Sequence, residues 1–125
     1  MKIRAAVTYD TGAPYKIEDV ELDAPKFGEI LVRITASGIC HTDEAVQNQF
    51  IPTPLPAVLG HEGAGIVEAV GPGVTEFKIG DHVGISFGFC NSCCNCRKAR
   101  PFVCKKLNAI NFGGIQPDGT TRLHT

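Results

Sequence analysis

Apolar and polar residues alternate most regularly in EILVRITAS (29–37), where Ile30, Val32, Ile34 and Ala36 fall on one side and Leu31, Arg33 and Thr35 on the other. A period of two puts successive side chains on opposite faces of a pleat, so this segment reads as a strand. KIRAAVTY (2–9) and YKIEDVEL (15–22) are rich in residues suited to a pleated surface, and the turn residues Gly12-Ala13-Pro14 between them predict a hairpin. GAGIVEAVG (63–71) carries β-branched residues between glycines, and DHVGISFGF (81–89) follows the turn-rich PGVTEFKIGD, which adds two further strands. A short helix is expected over HTDEAVQNQ (41–49), capped by Thr42 or Asp43, before Pro52, Pro54 and Pro56 end regular structure in a long loop. Beyond Cys104 the turn signals Gly113-Gly114 and Pro117-Asp118-Gly119 break the chain and no helical period is sustained. The pattern predicts a mostly β fold, and with no repeat or linker the 125 residues read as one domain, 1–125.

Composition sharpens this picture in two ways. Gly 14 and Pro 8 favour turns and short strands, while 43 % apolar and 20 % charged residues, close to the globular average, suggest neither disorder nor a membrane span. Twelve Lys and Arg against 13 Asp and Glu leave no general field that would draw in nucleic acid or anionic lipid. The opening MKIRAAVTYD is broken by Arg4 and lacks the apolar core of a secretory signal, so the expected location is the cytoplasm. In that reducing compartment six cysteines read as thiols or metal ligands before disulfides.

Five of those six lie in FCNSCCNCRKARPFVC (89–104). Cys90, Cys93, Cys96 and Cys104 form C-x2-C-x2-C-x7-C, a spacing that lets four sulfurs converge on a tetrahedral zinc with no position left for substrate, hence a structural site in the loop 89–105. Cys94 neighbours Cys93 and should diverge from the cage as a spare thiol, with an exchange of the two as the alternative. Arg97, Lys98, Arg100, Lys105 and Lys106 surround the loop without a carboxylate and would favour ionised thiols against the net negative charge of a zinc tetrathiolate. The competing readings are a solvated basic loop, a disulfide or redox cluster, and a non-enzymatic zinc-stabilised module whose cations touch phosphates.

A second constellation is less complete. Cys40 in GICHTDE and His61 in GHEGAG both sit at expected chain reversals, with the carboxylates of Asp43 and Glu62 beside them. Thiolate, imidazole and carboxylate together suit a catalytic zinc. No strand leads into GxGxxG and a helix: Gly63-Ala64-Gly65 supplies two glycines, but Glu68 stands where the third belongs.

GICHTDE (38–44), GHEGAGIVEAVGPGV (60–74), GDHV (80–83) and the four-cysteine loop occur in the order and spacing of a known family. The chain resembles the zinc-dependent medium-chain alcohol dehydrogenases, through their N-terminal GroES-like catalytic domain. From the cysteine loop to NFGGIQPDGTT it is most similar to the aryl-alcohol, or benzyl-alcohol, branch. The resemblance implies a GroES-like β-barrel with a zinc-bearing lobe, truncated before the Rossmann domain, so that the chain is roughly the first third of such an enzyme. It implies Cys40 and His61 as ligands of catalytic zinc, Glu62 as an alternative ligand, Asp43 orienting His61, Thr42 passing the alcohol proton outward, and His41 facing the cofactor pyrophosphate. Zinc would act as a Lewis acid on a primary alcohol while hydride moves to NAD(P). Phe87 or Phe89 would line an alcohol pocket or pack in the core.

The pattern also departs from the family. Ala45 occupies the position where many members end the proton relay with a His, and the third protein ligand and nicotinamide domain would lie beyond residue 125, with His124 no substitute. The expectation is therefore firm structural zinc, weak or absent catalytic zinc, and no turnover by the chain alone. The longer parent would be a homo-oligomer acting on small alcohols and aldehydes. Zinc-independent quinone or enoyl reductases share the barrel but lack both cysteine sets.

Overall fold

All residues, 1–125, are described by a computed structural model. The expected hairpin forms first: β1 (Lys2–Thr8) pairs antiparallel with β2 (Lys16–Leu22), from Lys2 opposite Glu21 to Val7 opposite Lys16. Gly12, at φ +70°, turns the chain between them in a conformation that side chains disfavour. The alternation along both strands turns Ala5, Val7 and Val20 inward as the core, with Ile3, Tyr9 and Leu123 packed against it. Later segments complete this sheet in the order β4-β1-β2-β7, where β4 is Ala57–Val58 and β7 is Leu123–His124.

The second sheet has the order β3-β5-β6, built from Ile30–Ser37, Gly63–Val70 and His82–Gly84. All of its pairings are antiparallel. The strict alternation predicted for β3 does not persist, because the register against β5 slips between Leu31 and Val32 and again between Ile34 and Ala36. These bulges add twist and curl the sheet. Gly65 sits at the close approach this creates, where a Cβ would stand 2.1 Å from the Arg33 carbonyl oxygen. The two sheets form the curled half-barrel of a mostly β fold, and no helix is long and apolar enough to cross a membrane.

Three local expectations are corrected. The strand expected over 81–89 stops at Gly84, because its partner β5 begins at Gly63 and the ladder ends with the Ile85 N–H on the Gly63 carbonyl at 2.8 Å. Helix α1 spans His41–Gln47, but its cap is Cys40 rather than Thr42 or Asp43. The region after Cys93 holds α2 (Cys94–Arg97), a 3-10 turn at Pro101–Val103 and α3 (Leu107–Phe112), none of them expected. Helices of four to six residues with no side-chain cap carry too little periodicity to be seen in a sequence.

Candidate metal centres

The chain leaves β6, runs without regular structure to Cys90, and then reverses through Asn91 and Ala99, both in left-handed backbone at φ 58° and 57°. Those reversals fold the cysteine loop onto itself. Cys93 caps α2, Cys96 lies within that helix, and Cys104 follows the 3-10 turn as the one buried cysteine. The Cys93 N–H donates to Cys90 Sγ at 3.3 Å, and the Cys90 and Lys106 N–H groups both donate to Cys104 Sγ at 3.4 Å. Main-chain donors aimed at sulfur favour thiolate.

The sulfur spacing tests whether an ion fits. Sγ separations are 3.9 Å for Cys90–Cys96, 3.5 Å for Cys93–Cys96 and 3.5 Å for Cys104–Cys90, and all four sulfurs lie within 4.8 Å of one another. With Zn–S near 2.3 Å, the edge of a regular tetrahedron is about 3.8 Å. The donor set fits such an ion closely. A disulfide needs sulfurs at about 2.05 Å, and all six cysteines are free. Cys94 is exposed and stands outside the cluster, its Sγ 3.9 Å from the Asn95 side-chain oxygen. Donors from Ser92 and Cys93 lower the Cys90 thiol to about 5, whereas burial and the neighbouring thiols push Cys96 up to about 12. Four sulfurs at these separations could all ionise together only with a cation among them. The five cations of the loop are all exposed.

The second cluster joins two chain reversals. Donor atoms of Cys40, His61 and Glu62 lie within 4.8 Å of one another, with His61 Nε2 3.9 Å from Glu62 Oε1. Bound to one metal at about 2.1 Å, two such atoms would sit about 3.4 Å apart, so closure needs about half an ångström. Asp43 ties the reversals together: Oδ2 accepts the Cys40 N–H at 3.1 Å, and Oδ1 lies 3.5 Å from His61 Nδ1. That pairing turns Nε2 toward Cys40 and Glu62. Cys40 Sγ accepts the Thr42 N–H at 3.5 Å and lies 3.3 Å from the Thr42 hydroxyl. Gly38 donates its N–H to the Glu62 carbonyl at 3.1 Å, and a Cβ at residue 38 would stand 2.1 Å from Glu62 Oε2. Only glycine leaves the carboxylate this room.

A cavity of about 260 Å³ opens beside the cluster, bordered by Thr42, His61, Phe87, Ile110 and Phe112. Phe87 stacks on the His61 ring, with centroids 4.8 Å apart and planes at 17°. Phe89 does not border this cavity and is 43 % exposed. His41 points to solvent, its Nδ1 3.0 Å from Glu44 Oε2, and joins neither cluster. His124 pairs with Asp23 at 3.1 Å on β7. Gly38, Phe112 and Asn111, which borders the same cavity, escaped the sequence analysis, since nothing in their local text marks a contact with residues 23 to 25 positions away.

Comparison with known proteins gives a consistent picture. Residues 26–122 match the family model described as the alcohol dehydrogenase GroES-like domain. The chain is 47 % identical over 126 residues to an NDMA-dependent alcohol dehydrogenase of Amycolatopsis methanolica, covering 99 % of this chain and 33 % of the relative. Against an alcohol dehydrogenase class-3 of Drosophila melanogaster the identity is 46 %, over 96 % of this chain and 32 % of the relative. The crystal structure of an alcohol dehydrogenase zinc-binding domain protein from Burkholderia ambifaria superposes with a TM-score of 0.96 at 49 % identity, over 98 % of this chain and 33 % of that one. For benzyl alcohol dehydrogenase from Acinetobacter calcoaceticus the TM-score is 0.95 at 45 % identity, covering 98 % and 34 %. The chain thus spans about a third of the length of the curated relatives it matches.

Proposed function

This chain belongs to the zinc-dependent medium-chain alcohol dehydrogenases through their GroES-like domain, and from that premise we propose that it provides the metal-holding half of an alcohol-oxidising site. Cys90, Cys93, Cys96 and Cys104 hold a structural zinc, while Cys40, His61 and Glu62 face a catalytic one. The convergence of these last three donors beside an apolar cavity, with Asp43 behind His61, is the observation that carries this reading.

When bound there, zinc supplies Lewis-acid character that lets an alcohol give up its hydroxyl proton near neutral pH. The chain's own residues supply the rest. Asp43 holds the His61 tautomer by accepting at Nδ1, and the same carboxylate fixes the turn that presents Cys40. Thr42, with its hydroxyl beside Cys40 Sγ, is the first acceptor for the substrate proton. The relay then leaves through water or a cofactor hydroxyl, since Ala45 offers no base. His41, exposed at the start of α1, is free to face the pyrophosphate of a nicotinamide nucleotide held elsewhere in a longer protein. Phe87 and Phe112 around the cavity suit a primary alcohol with an aromatic group, as does the likeness to a benzyl alcohol dehydrogenase.

Hydride transfer needs a nicotinamide site, which this reading places outside residues 1–125, so these residues alone are expected to oxidise no alcohol. The test is anaerobic cobalt titration of the purified chain. One tight tetrathiolate site and one weak site that disappears in His61→Ala support the reading; a second site unaffected by His61→Ala overturns it.

A further inference from the structure

The segment between β6 and the cysteine loop has few anchors of its own. After the Ile85 N–H on Gly63, no backbone bond ties residues 86–89 to another element, and the next main-chain anchor is the Cys90 N–H on Cys104 Sγ. Within that gap both polar groups of Gly88 are taken by a single side chain. The Gly88 N–H donates to Asn111 Oδ1 at 2.7 Å, and Asn111 Nδ2 donates to the Gly88 carbonyl at 2.9 Å. The same Nδ2 also donates to the Leu107 carbonyl at 2.8 Å, which locks the amide against α3. Neither Gly88 group has another protein partner.

The packing repeats this grip one residue away. Phe87 precedes Gly88 and Phe112 follows Asn111, and their rings stand 6.1 Å apart. A Cβ on Gly88 would meet Ile110 Cγ2 at 2.9 Å, so α3 lies directly against this backbone. Phe87 itself has its backbone oxygen met only by the neighbouring Ser86 hydroxyl at 3.5 Å. Its stacking on His61 therefore depends on where Gly88 is held. Dispersion and stacking favour the contact without fixing the backbone, whereas paired amide bonds are directional.

We propose that Asn111 is a positioning residue: its side chain clips Gly88 to α3 and so keeps Phe87 stacked on His61. The assignment deepens the functional reading above, on which the importance of His61 rests, but its geometry requires neither metal nor turnover. The test uses the whole chain and the ring-current shift of the His61 ring protons in NMR. In the native chain these protons are expected upfield, given the stacked rings at 4.8 Å, and Phe87→Leu sets the unstacked reference. Asn111→Ala is expected to move them to the Phe87→Leu position while the amide shifts of β1 and β2 stay unchanged. Asn111→Asp, which keeps an acceptor for the Gly88 N–H but no donor, should fall between and serves where the alanine variant does not fold. Native His61 shifts in the Asn111 variants would overturn the proposal, as would a Phe87→Leu chain indistinguishable from native. Cobalt uptake by His61→Ala is read separately, so a failed metal assignment and a failed positioning role are distinguishable.

Discussion

Replacing Gly65 by Ala puts a methyl group into a tight gap between β3 and β5. The new Cβ would lie 2.1 Å from the Arg33 oxygen and 2.8 Å from both Arg33 C and Val32 Cγ1. A carbon and a carbonyl oxygen rest at about 3.3 Å or more, so the strands must part by about 1 Å. Two of the obstructing atoms are backbone and cannot rotate away. A hydrogen bond stretched by that amount is lost, and breaking two ladder bonds at about 1 kcal/mol each, with about 1–3 kcal/mol of overpacking, gives about 3–5 kcal/mol. Domains of this kind are stable by about 5–15 kcal/mol, so the loss is a large fraction of the total. Gly84→Ala is the control: it lies on neighbouring β6, its added Cβ meets nothing within 4 Å, and the change should stay within about 0.5 kcal/mol. Urea unfolding of the metal-loaded chains, followed by circular dichroism, measures both. A Gly65→Ala midpoint equal to that of Gly84→Ala at unchanged slope would refute the reasoning.

Cys104→Ser should lose tight metal binding and its folding cooperativity, whereas Cys94→Ser retains both; equal zinc content in the two variants, measured by elemental analysis, would contradict the choice of ligands. Gly38→Ala should displace the Glu62 carboxylate and weaken cobalt uptake at the second site to the level of Glu62→Gln, leaving the cysteine site intact, as cobalt spectra would show. Glu29 receives the Arg122 guanidinium at 2.7–3.1 Å, and these bonds hold its carboxyl below the usual range. A depressed carboxylate pKa stabilises the fold above the unfolded value and ceases to do so as pH falls through the folded one. Glu29→Gln should therefore melt below the native chain at pH 6, with the gap closing only below about pH 4, under the ordinary glutamate value; a gap that persists at low pH would count against it.

What could be read from the sequence follows the range over which each feature is determined. The β1–β2 hairpin and the cysteine cluster depend on contacts within 20 residues, and both were legible from strand pattern and ligand spacing. Cys40 and His61 are brought together by Asp43 across separate turns; residue type and expected chain reversals paired them only loosely, and the resemblance supplied their roles. The Cys40 cap was unexpected because sulfur is a weak acceptor, and the carboxylate of the following Asp43 completes the cap from the other side. The end of β6 at Gly84 was hidden for a different reason. Residues 85–89 have strand composition, but the partner ladder runs out at Gly63, a fact set by pairing rather than by propensity. Asn111 carries no local signal, since its partner lies 23 positions earlier.

The cysteine loop is held together by the ion among its four sulfurs. Zinc-edge X-ray absorption on the reduced, desalted chain tests this most directly. Close to one tightly held zinc per chain, surrounded by four sulfurs at about 2.3 Å, is the predicted result. A chain that binds no metal and keeps its fold in chelator, or a zinc surrounded mainly by nitrogen and oxygen, would contradict it.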